Sequence, residues 1–306
     1  MTQALRTSEG RFVGLPDFPW APNYVDDLVG LQGLRVAYLD EGPRDAEHTF
    51  LCLHGQPTWG FLYRKMIPVF TASGARVVVP DLLGFGRSDK PIDEGFYTFD
   101  KHRDTLIALI WRLDLHNITL VVQDWGGLLG LTLPVDPDMR ARIARLIVMN
   151  TAIAVGEPLG QGFDDWRKFT ASTDDLPIGR LLLRAQPNLT AAEAAAYDAP
   201  FEDVRFKAGV RMFPKLVMTE PGMGGVETSR RAAEFWCHHW QGPTFMACGA
   251  RDPVFDPDHM RRLATQINGC PTPLVIEDAG HFVQERGDII AAAALDQFRG
   301  QGDRQG

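Results

Sequence analysis

The sequence has no long apolar run. None of its 306 residues lie in a stretch that approaches the roughly 18 consecutive apolar residues typical of a membrane helix. Residues 1–20 carry charges and lack the continuous apolar segment of a signal peptide. We therefore expect a protein that does not interact with a membrane.

Basic residues are in the minority. The chain has 31 Lys and Arg against 39 Asp and Glu, which gives a formal net charge of -8. No basic cluster interrupts this acidity, and nucleic acids and anionic membranes are recognised by basic surfaces. The composition therefore argues against a nucleic-acid partner, and we expect a small-molecule ligand instead.

Cysteine is also scarce. Cys52, Cys237, Cys248 and Cys270 are scattered, with no C-x-x-C pair. The run CHHW at 237–240 places two histidines side by side, where their side chains would diverge on one helix. The sequence therefore predicts no metal and no cofactor, and the expected location is a reducing cytoplasm.

Short apolar runs alternate with longer helical segments along most of the chain. The runs lack polar alternation, as expected for strands buried on both faces of a parallel sheet. They end in Gly, Asp, His or Asn, which places polar groups at the carboxyl edge of the sheet, where open α/β sheets bind ligands. The predicted strands are 49–55, 76–84, 119–127, 145–150, 244–252 and 273–281, and the clearest helices are 102–115 and 291–300.

Residues 152–225 interrupt this alternation. They contain helical segments with proline punctuation and no convincing strand, and residues 219–229 (TEPGMGGVETS) are typical of a flexible return. The sequence predicts an α/β fold with a mostly parallel central sheet flanked by helices. Its core domain would comprise residues 1–151 and 226–306, with 152–225 inserted as a helical cap domain.

The segment VVQDWGG at 121–127 carries an aspartate at a strand-to-helix turn. A sharp turn that presents a nucleophile has the pattern G-x-S-x-G, and this chain has aspartate, Asp124, at the serine position. Gly126 and Gly127 keep the small residues that close packing requires. Taken alone, Asp124 could equally cap the following helix.

Asp252 and His281 follow later predicted strands. They lie in CGARDPVF and EDAGHFVQE, so the chain order is Asp124, Asp252, His281. That is the order of nucleophile, acid and base in hydrolases with this kind of turn. A lone aspartate or histidine at such a position is usually structural, but three strand ends in this order predict a convergent site.

An early turn completes the predicted site. In LHGQPTWGFLYR, residues 53–64, the chain can aim the backbone N–H of Gln56 at the nucleophile. Together with the N–H of Trp125 it would form an oxyanion hole. His54 in the same turn is expected to be structural.

With these motifs the sequence resembles the haloalkane dehalogenases of the α/β-hydrolase superfamily. The similarity covers most of the chain and is most specific in HGQPTW, DLLGFGRSDKP, VVQDWGG, GFDDW and YDAPF. It is strongest to the branch with a late-strand acid and a second halide-binding tryptophan in the cap. The resemblance implies Asp124 as nucleophile, Asp252 as acid and His281 as base, with Trp125 and Trp166 holding the halide.

Three positions refine the resemblance. Some relatives carry the acid after the strand that precedes the cap, where this chain has Asn150, which cannot ionise. This favours Asp252. The family usually has Glu or Asn where this chain has Gln56, whose side-chain amide could donate to halide or hold a water. Leu128, just after the turn, is expected to shape the pocket.

The residue types suit hydrolysis of a carbon–halogen bond. Unlike serine, the Asp124 carboxylate needs no base before it attacks, and it would form a covalent alkyl ester. His281 would then activate water to attack that ester. An indole N–H only donates, which suits a halide that leaves without a proton. The predicted reaction converts a haloalkane to a primary alcohol, halide and a proton.

The nearest alternative is an epoxide hydrolase of the same fold. Epoxide opening leaves an alkoxide that calls for O–H donors, usually paired lid tyrosines, and the cap offers only Tyr197. A serine esterase lacks its nucleophile here, and a receptor or inert scaffold would not need the complete set. We expect a monomer whose partners are a small haloalkane, water and the halide product.

Overall fold

The computed structural model describes residues 2–31, 33–186 and 188–302, and its central feature is a twisted sheet. The strands within these ranges are β1 (Ala4–Leu5), β2 (Asn23–Val25), β3 (Val36–Glu41), β4 (Thr49–Leu53), β5 (Arg76–Pro80), β6 (Lys90–Pro91), β7 (Ile118–Gln123), β8 (Ile143–Met149), β9 (Thr244–Gly249) and β10 (Leu274–Ile276). The helices of the same ranges are α1 (Ile67–Ala72), α2 (Phe99–Arg112), α3 (Trp125–Gly130), α4 (Pro137–Arg142), α5 (Gln161–Ala171), α6 (Ile178–Ala185), α7 (Ala191–Asp198), α8 (Ala208–Leu216), α9 (Val226–His238), α10 (Pro257–Thr265) and α11 (Gly287–Gly302).

In the described chain the main sheet has eight strands in the order β10-β9-β8-β7-β4-β5-β3-β2. The six strands from β10 to β5 are parallel, whereas β3 and β2 continue the sheet antiparallel. Every residue of β4, β5 and β7 is buried. Helices cover both faces, so a strand inside the sheet has no solvent side. The predicted α/β fold with a mostly parallel sheet is confirmed.

All six predicted strands are present. Five are shorter than their apolar runs, because those runs continue into loops beyond the sheet edge, whereas β8 begins two residues before its predicted start. Two strands that the sequence did not predict, β2 and β3, extend the sheet antiparallel beside β5. The edge strand β2 has only three residues, too few to show an alternating pattern. None of the helices in the described part of the chain combines the length and apolar character needed to cross a bilayer.

The chain between β8 and β9 is helical. It contains α5 to α9, and no strand occurs there in the residues that the structure describes. The predicted flexible return at 219–229 is wrong in its second half, because α9 begins at Val226. Gly225 precedes that helix with a φ of 92°, a left-handed conformation that glycine adopts without strain.

A buried cluster of charges joins this helical segment to parts of the chain that follow β4 and β10. Arg64, whose side chain is fully buried, donates to both carboxylate oxygens of Glu285 at 2.8 and 2.7 Å. It also donates to Glu193, in the first turn of α7, at 2.6 Å. The Tyr197 hydroxyl donates to Glu285 at 2.5 Å. One guanidinium therefore connects α7 to the short 3-10 helix Val283–Arg286.

The carboxylates of this cluster depend on their donors. Burial raises the pKa of Glu193, but hydrogen bonds from Thr190 and Arg64 outweigh it and lower the pKa to about 2. Burying an ion pair costs desolvation free energy. Removing one partner therefore destabilises the fold more than replacing the whole pair with apolar residues, because the remaining charge stays buried without its partner. The fold relies on Arg64 more than on the exposed arginines.

Replacing Arg64 with methionine should lower the free energy of unfolding by about 3–5 kcal/mol, because two buried carboxylates lose the buried guanidinium that binds both. Only the partly exposed Lys65 ammonium, 3.4 Å from Glu193 and 3.1 Å from Glu285, stays beside them. Urea denaturation near neutral pH measures this loss. The matched control is Arg112→Met, which removes an arginine from an exposed pair with Asp27. The control should cost less than about 1 kcal/mol. Equal losses in the two variants would contradict the assignment.

Candidate active site

Asp124 occupies a sharp turn between β7 and α3. Its φ is 49° and its ψ is -124°, a conformation that residues other than glycine rarely adopt. The turn fits because Gly126 packs against the neighbouring strand, where an added Cβ would collide with the carbonyl of Leu53 in β4. The backbone thereby presents the Asp124 carboxylate at the carboxyl edge of the sheet.

The three predicted triad residues meet at this edge. His281 Nε2 lies 3.4 Å from Asp124 Oδ2, and His281 Nδ1 lies 2.7 Å from Asp252 Oδ2. Asp252 follows β9 and His281 follows β10, so strand ends far apart in sequence supply the set. The imidazole therefore bridges two carboxylates.

Asp252 is held by donors on two sides. Its side chain is fully buried, and it accepts from Asn150 Nδ2 and from the backbone N–H of Val254, each at 2.8 Å. Asn150 in turn accepts from the backbone N–H of Gly249. Burial raises the pKa of Asp252, but the charge and hydrogen bond of His281, together with the backbone N–H groups of Val254 and Phe255, outweigh burial and lower that pKa. Sequence reasoning identified Asn150 only as a residue unable to ionise and missed this contact.

The surroundings of His281 favour its protonated form. Burial lowers its pKa, but Asp252 and Asp124 outweigh burial and raise the pKa to about 10. A second residue that the sequence analysis missed also reaches the ring, because Gln123 Nε2 lies 3.0 Å from His281 Nε2. The sequence shows that Gln123 precedes Asp124, but it does not show that the Gln123 side chain contacts His281.

Gln56 lies where the sequence analysis placed it. Its backbone N–H donates to Asp124 Oδ1 at 2.7 Å. The Trp125 N–H belongs to the first residue of α3, next to the same carboxylate. The Gln56 side-chain amide donates to the Val210 carbonyl in α8 at 3.0 Å. One N–H of that amide is thus tied to a helix above the sheet.

The other histidines singled out in the sequence make no hydrogen bond to Asp124 or Asp252 within the described part of the chain. His54 is fully buried, with Nδ1 2.8 Å from the Gly55 carbonyl and Nε2 accepting from the Leu82 N–H at 3.0 Å. These contacts fit a structural role. His238 and His239 are exposed at the end of α9. Among the described residues, no group of three His, Cys, Asp or Glu side chains is placed to hold a metal.

A small cavity of about 120 Å³ lies over the Asp124 carboxylate. Residues of α5, α6 and α8, which lie between β8 and β9, form part of its wall, and that wall is predominantly apolar. Gln56, Asp252 and His281 contribute polar atoms to it, and an outer cleft continues from it past His281. Charges interact more strongly in such a poorly hydrated space than in water. The apolar wall includes Leu128, Leu159, Phe163, Leu181, Val217 and Phe255.

Two tryptophans line this cavity with their indole N–H groups unused by the protein. Trp59, Trp236 and Trp240, which lie elsewhere, each donate to a protein oxygen at 2.7–3.1 Å. No such acceptor exists for Trp125 or Trp166 within the described ranges, and both border the cavity. Buried indole N–H groups normally find a partner. These two are available to an anion inside the cavity.

The cavity lacks the donors that an epoxide would need. As far as the described residues define it, its wall contains no tyrosine. Tyr197 is fully buried behind it, with its hydroxyl committed to Glu285. Leu128, by contrast, borders the cavity as expected. The arrangement combines a carboxylate, a histidine and two indole donors around an apolar space.

Comparison with known proteins agrees with this architecture. Residues 48–288 match the family model of the alpha/beta hydrolase fold. A haloalkane dehalogenase of Psychrobacter cryohalolentis is 42% identical over 301 residues, with 96% of this chain and 97% of the relative covered. One from Mycolicibacterium paratuberculosis is 38% identical, with 95% and 97% covered.

A solved structure is similar throughout. The haloalkane dehalogenase from Paraglaciecola agarilytica NO2, described as tetrameric, has 53% sequence identity to this chain and a TM-score of 0.94. The alignment covers 96% of this chain and 98% of that one. The predicted resemblance is thereby confirmed: this chain belongs to the haloalkane dehalogenase family of the α/β-hydrolase superfamily.

Proposed function

We propose that this enzyme carries out its hydrolytic dehalogenation of haloalkanes with Asp124 as nucleophile, Asp252 as acid and His281 as base. The products are a primary alcohol, halide and a proton. The observation that carries the proposal is the Asp124 carboxylate, 3.4 Å from His281 and facing an apolar cavity with two unused indole donors. The polar groups match this reaction, and the apolar wall suits an alkyl chain.

The first step is displacement at the carbon that bears the halogen. An oxygen of Asp124 forms a bond to that carbon, and the carbon–halogen bond breaks with its electron pair leaving on the halide. The indole N–H groups of Trp125 and Trp166 stabilise the negative charge as it develops on the halogen. Such donors accelerate the step because they bind the leaving group more strongly in the transition state than in the substrate.

The two oxygens of Asp124 have different surroundings. Oδ1 accepts from the Gln56 N–H, whereas Oδ2 faces His281. We assign Oδ2 as the attacking oxygen and Oδ1 as the carbonyl oxygen of the resulting ester. The Gln56 N–H, with that of Trp125, is then in place to stabilise the oxyanion when the ester is hydrolysed.

The second step is hydrolysis of that ester. Water gives a proton to His281 Nε2 while its oxygen bonds to the ester carbonyl carbon, and Asp252 stabilises the imidazolium. Collapse of the tetrahedral intermediate breaks the bond between the carbonyl carbon and the alkoxide oxygen. The alkoxide takes up a proton and leaves as alcohol. Asp124 returns as a carboxylate, and one proton per cycle passes to solvent.

We assign residues 152–225 to a cap domain over a core of residues 1–151 and 226–306. Trp166 on α5 and the contact of Gln56 with α8 support this division. One chain supplies every proposed site residue, so a monomer suffices for the chemistry. The relative from Paraglaciecola agarilytica is described as tetrameric, and the monomeric state and cytoplasmic location stay predictions.

The variant His281→Gln should accumulate alkylated Asp124. Glutamine can still donate a hydrogen bond but cannot take a proton from water, so displacement proceeds and hydrolysis stops. Peptide mass spectrometry after treatment with a bromoalkane should find Asp124 heavier by one alkyl group. The double variant with Asp124→Asn serves as the control and should remain unmodified. An unmodified Asp124 peptide in folded His281→Gln protein, despite an active parent, would refute the covalent mechanism.

The variant Trp166→Phe should bind halide about 10- to 100-fold more weakly, because a hydrogen bond to a charged group is worth roughly 1.5–3 kcal/mol. Product inhibition by added bromide measures the affinity. Trp111→Phe is the matched control, since Trp111 is 46% exposed and lies on α2 outside the cavity. Unchanged bromide inhibition of Trp166→Phe would contradict the assignment of Trp166 as a halide-binding residue.

A further inference from the structure

The side chain of Gln123 lies against the catalytic histidine. Gln123 is the last residue of β7 and is fully buried. Its Nε2 lies 3.0 Å from Nε2 of His281 and 3.1 Å from the backbone oxygen of His281. Its Oε1 is buried and has no partner among the described residues. The polar contacts of this side chain therefore all go to His281.

The backbone oxygen of His281 determines which end of the amide faces the ring. A carbonyl oxygen only accepts, so the NH2 group of Gln123 must face it. The opposite orientation would place two oxygens together and leave the NH2 group buried without an acceptor. The same NH2 group lies beside the ring nitrogen Nε2. It can donate there only if Nε2 carries a lone pair, which requires neutral imidazole with its proton on Nδ1.

The carboxylates around the ring have the opposite effect. Asp252 at Nδ1 and Asp124 at Nε2 both stabilise imidazolium, and together they overcome the effect of burial on the pKa of His281. Hydrolysis of the ester, however, needs a free lone pair on Nε2. The other charged or titratable groups that border the outer cleft or the neighbouring Phe255 ring are Asp165, Arg184, Arg251 and His259.

We propose that Gln123 is a positioning residue that keeps Nε2 of His281 available as a proton acceptor in the alkyl-enzyme. This inference rests on the proposed function. Alkylation turns Asp124 into a neutral ester, so Asp252 alone continues to favour imidazolium. One N–H of the Gln123 amide donates to Nε2 and favours its free lone pair. When the hydrolytic water approaches, it replaces this N–H at Nε2, while the second N–H remains bound to the His281 carbonyl.

The variants Gln123→Met and Gln123→Glu test this role. Methionine is of similar size but removes the donor, and losing one neutral hydrogen bond should move the acid limb of ester hydrolysis upward by about 0.5–1 pH unit. An ionised glutamate presents only acceptor oxygens to the ring, so it stabilises imidazolium and should shift the limb further. Formation of the ester should change little, because displacement needs no base.

Rapid-quench mass spectrometry of a single turnover with a bromoalkane follows formation and decay of alkylated Asp124 across pH. Gln297→Met is the matched control, since the Gln297 amide donates to the Thr244 carbonyl from α11 and makes no contact with His281. The control should retain the parent profile. If the Gln123→Met variant does not fold, the pH profile of the isosteric Gln123→Glu variant tests the proposal by itself.

The outcomes separate the two proposals. An ester that forms in the variants and decays with the parent's pH dependence overturns the role of Gln123 and leaves the proposed function intact. Absence of any ester in the parent and in every variant overturns the covalent mechanism itself. An upward shift in the hydrolysis step alone, larger for glutamate than for methionine, supports Gln123 as the positioning residue.

Discussion

The bridge from Asp252 through His281 to Asp124 is the interaction on which the rest of the site depends. Each residue sits at the carboxyl end of a different parallel strand, so the sheet brings the three together. Two carboxylates on one imidazole favour its charged form, yet the proposed reaction needs the ring as a base. In the proposed mechanism alkylation resolves this conflict, because it would remove the charge of Asp124 before the step that needs a base.

The cavity complements this charge arrangement. Its wall is predominantly apolar, and Trp125 and Trp166 border it with indole N–H groups that have no acceptor among the described residues, as the proposed halide site requires. The buried Arg64 cluster ties α7, which packs against the cavity-lining helix α6, to the 3-10 helix that follows His281. The 3-10 helix Val283–Arg286 therefore anchors α7 and directly follows the proposed base in the chain.

Much of this could be predicted from the sequence. Buried parallel strands appear as continuous apolar runs, and polar residues at their ends indicate the ligand-binding edge, so the fold and the convergence of Asp124, Asp252 and His281 followed from local pattern. The contacts of Asn150 and Gln123 could not be predicted, because each depends on which strands are neighbours. The exact start of α9 and the tie between Gln56 and α8 likewise depend on tertiary packing.

The origin of the oxygen in the alcohol tests the central claim most directly. A single turnover with enzyme in excess over a bromoalkane, carried out in ¹⁸O-labelled water, distinguishes attack on the ester carbonyl from attack on the substrate carbon. If Asp124 forms the ester, the first alcohol carries unlabelled oxygen and the label enters the Asp124 carboxylate. Labelled alcohol with an unlabelled Asp124 peptide would mean that water displaces the halide directly, and would contradict the account.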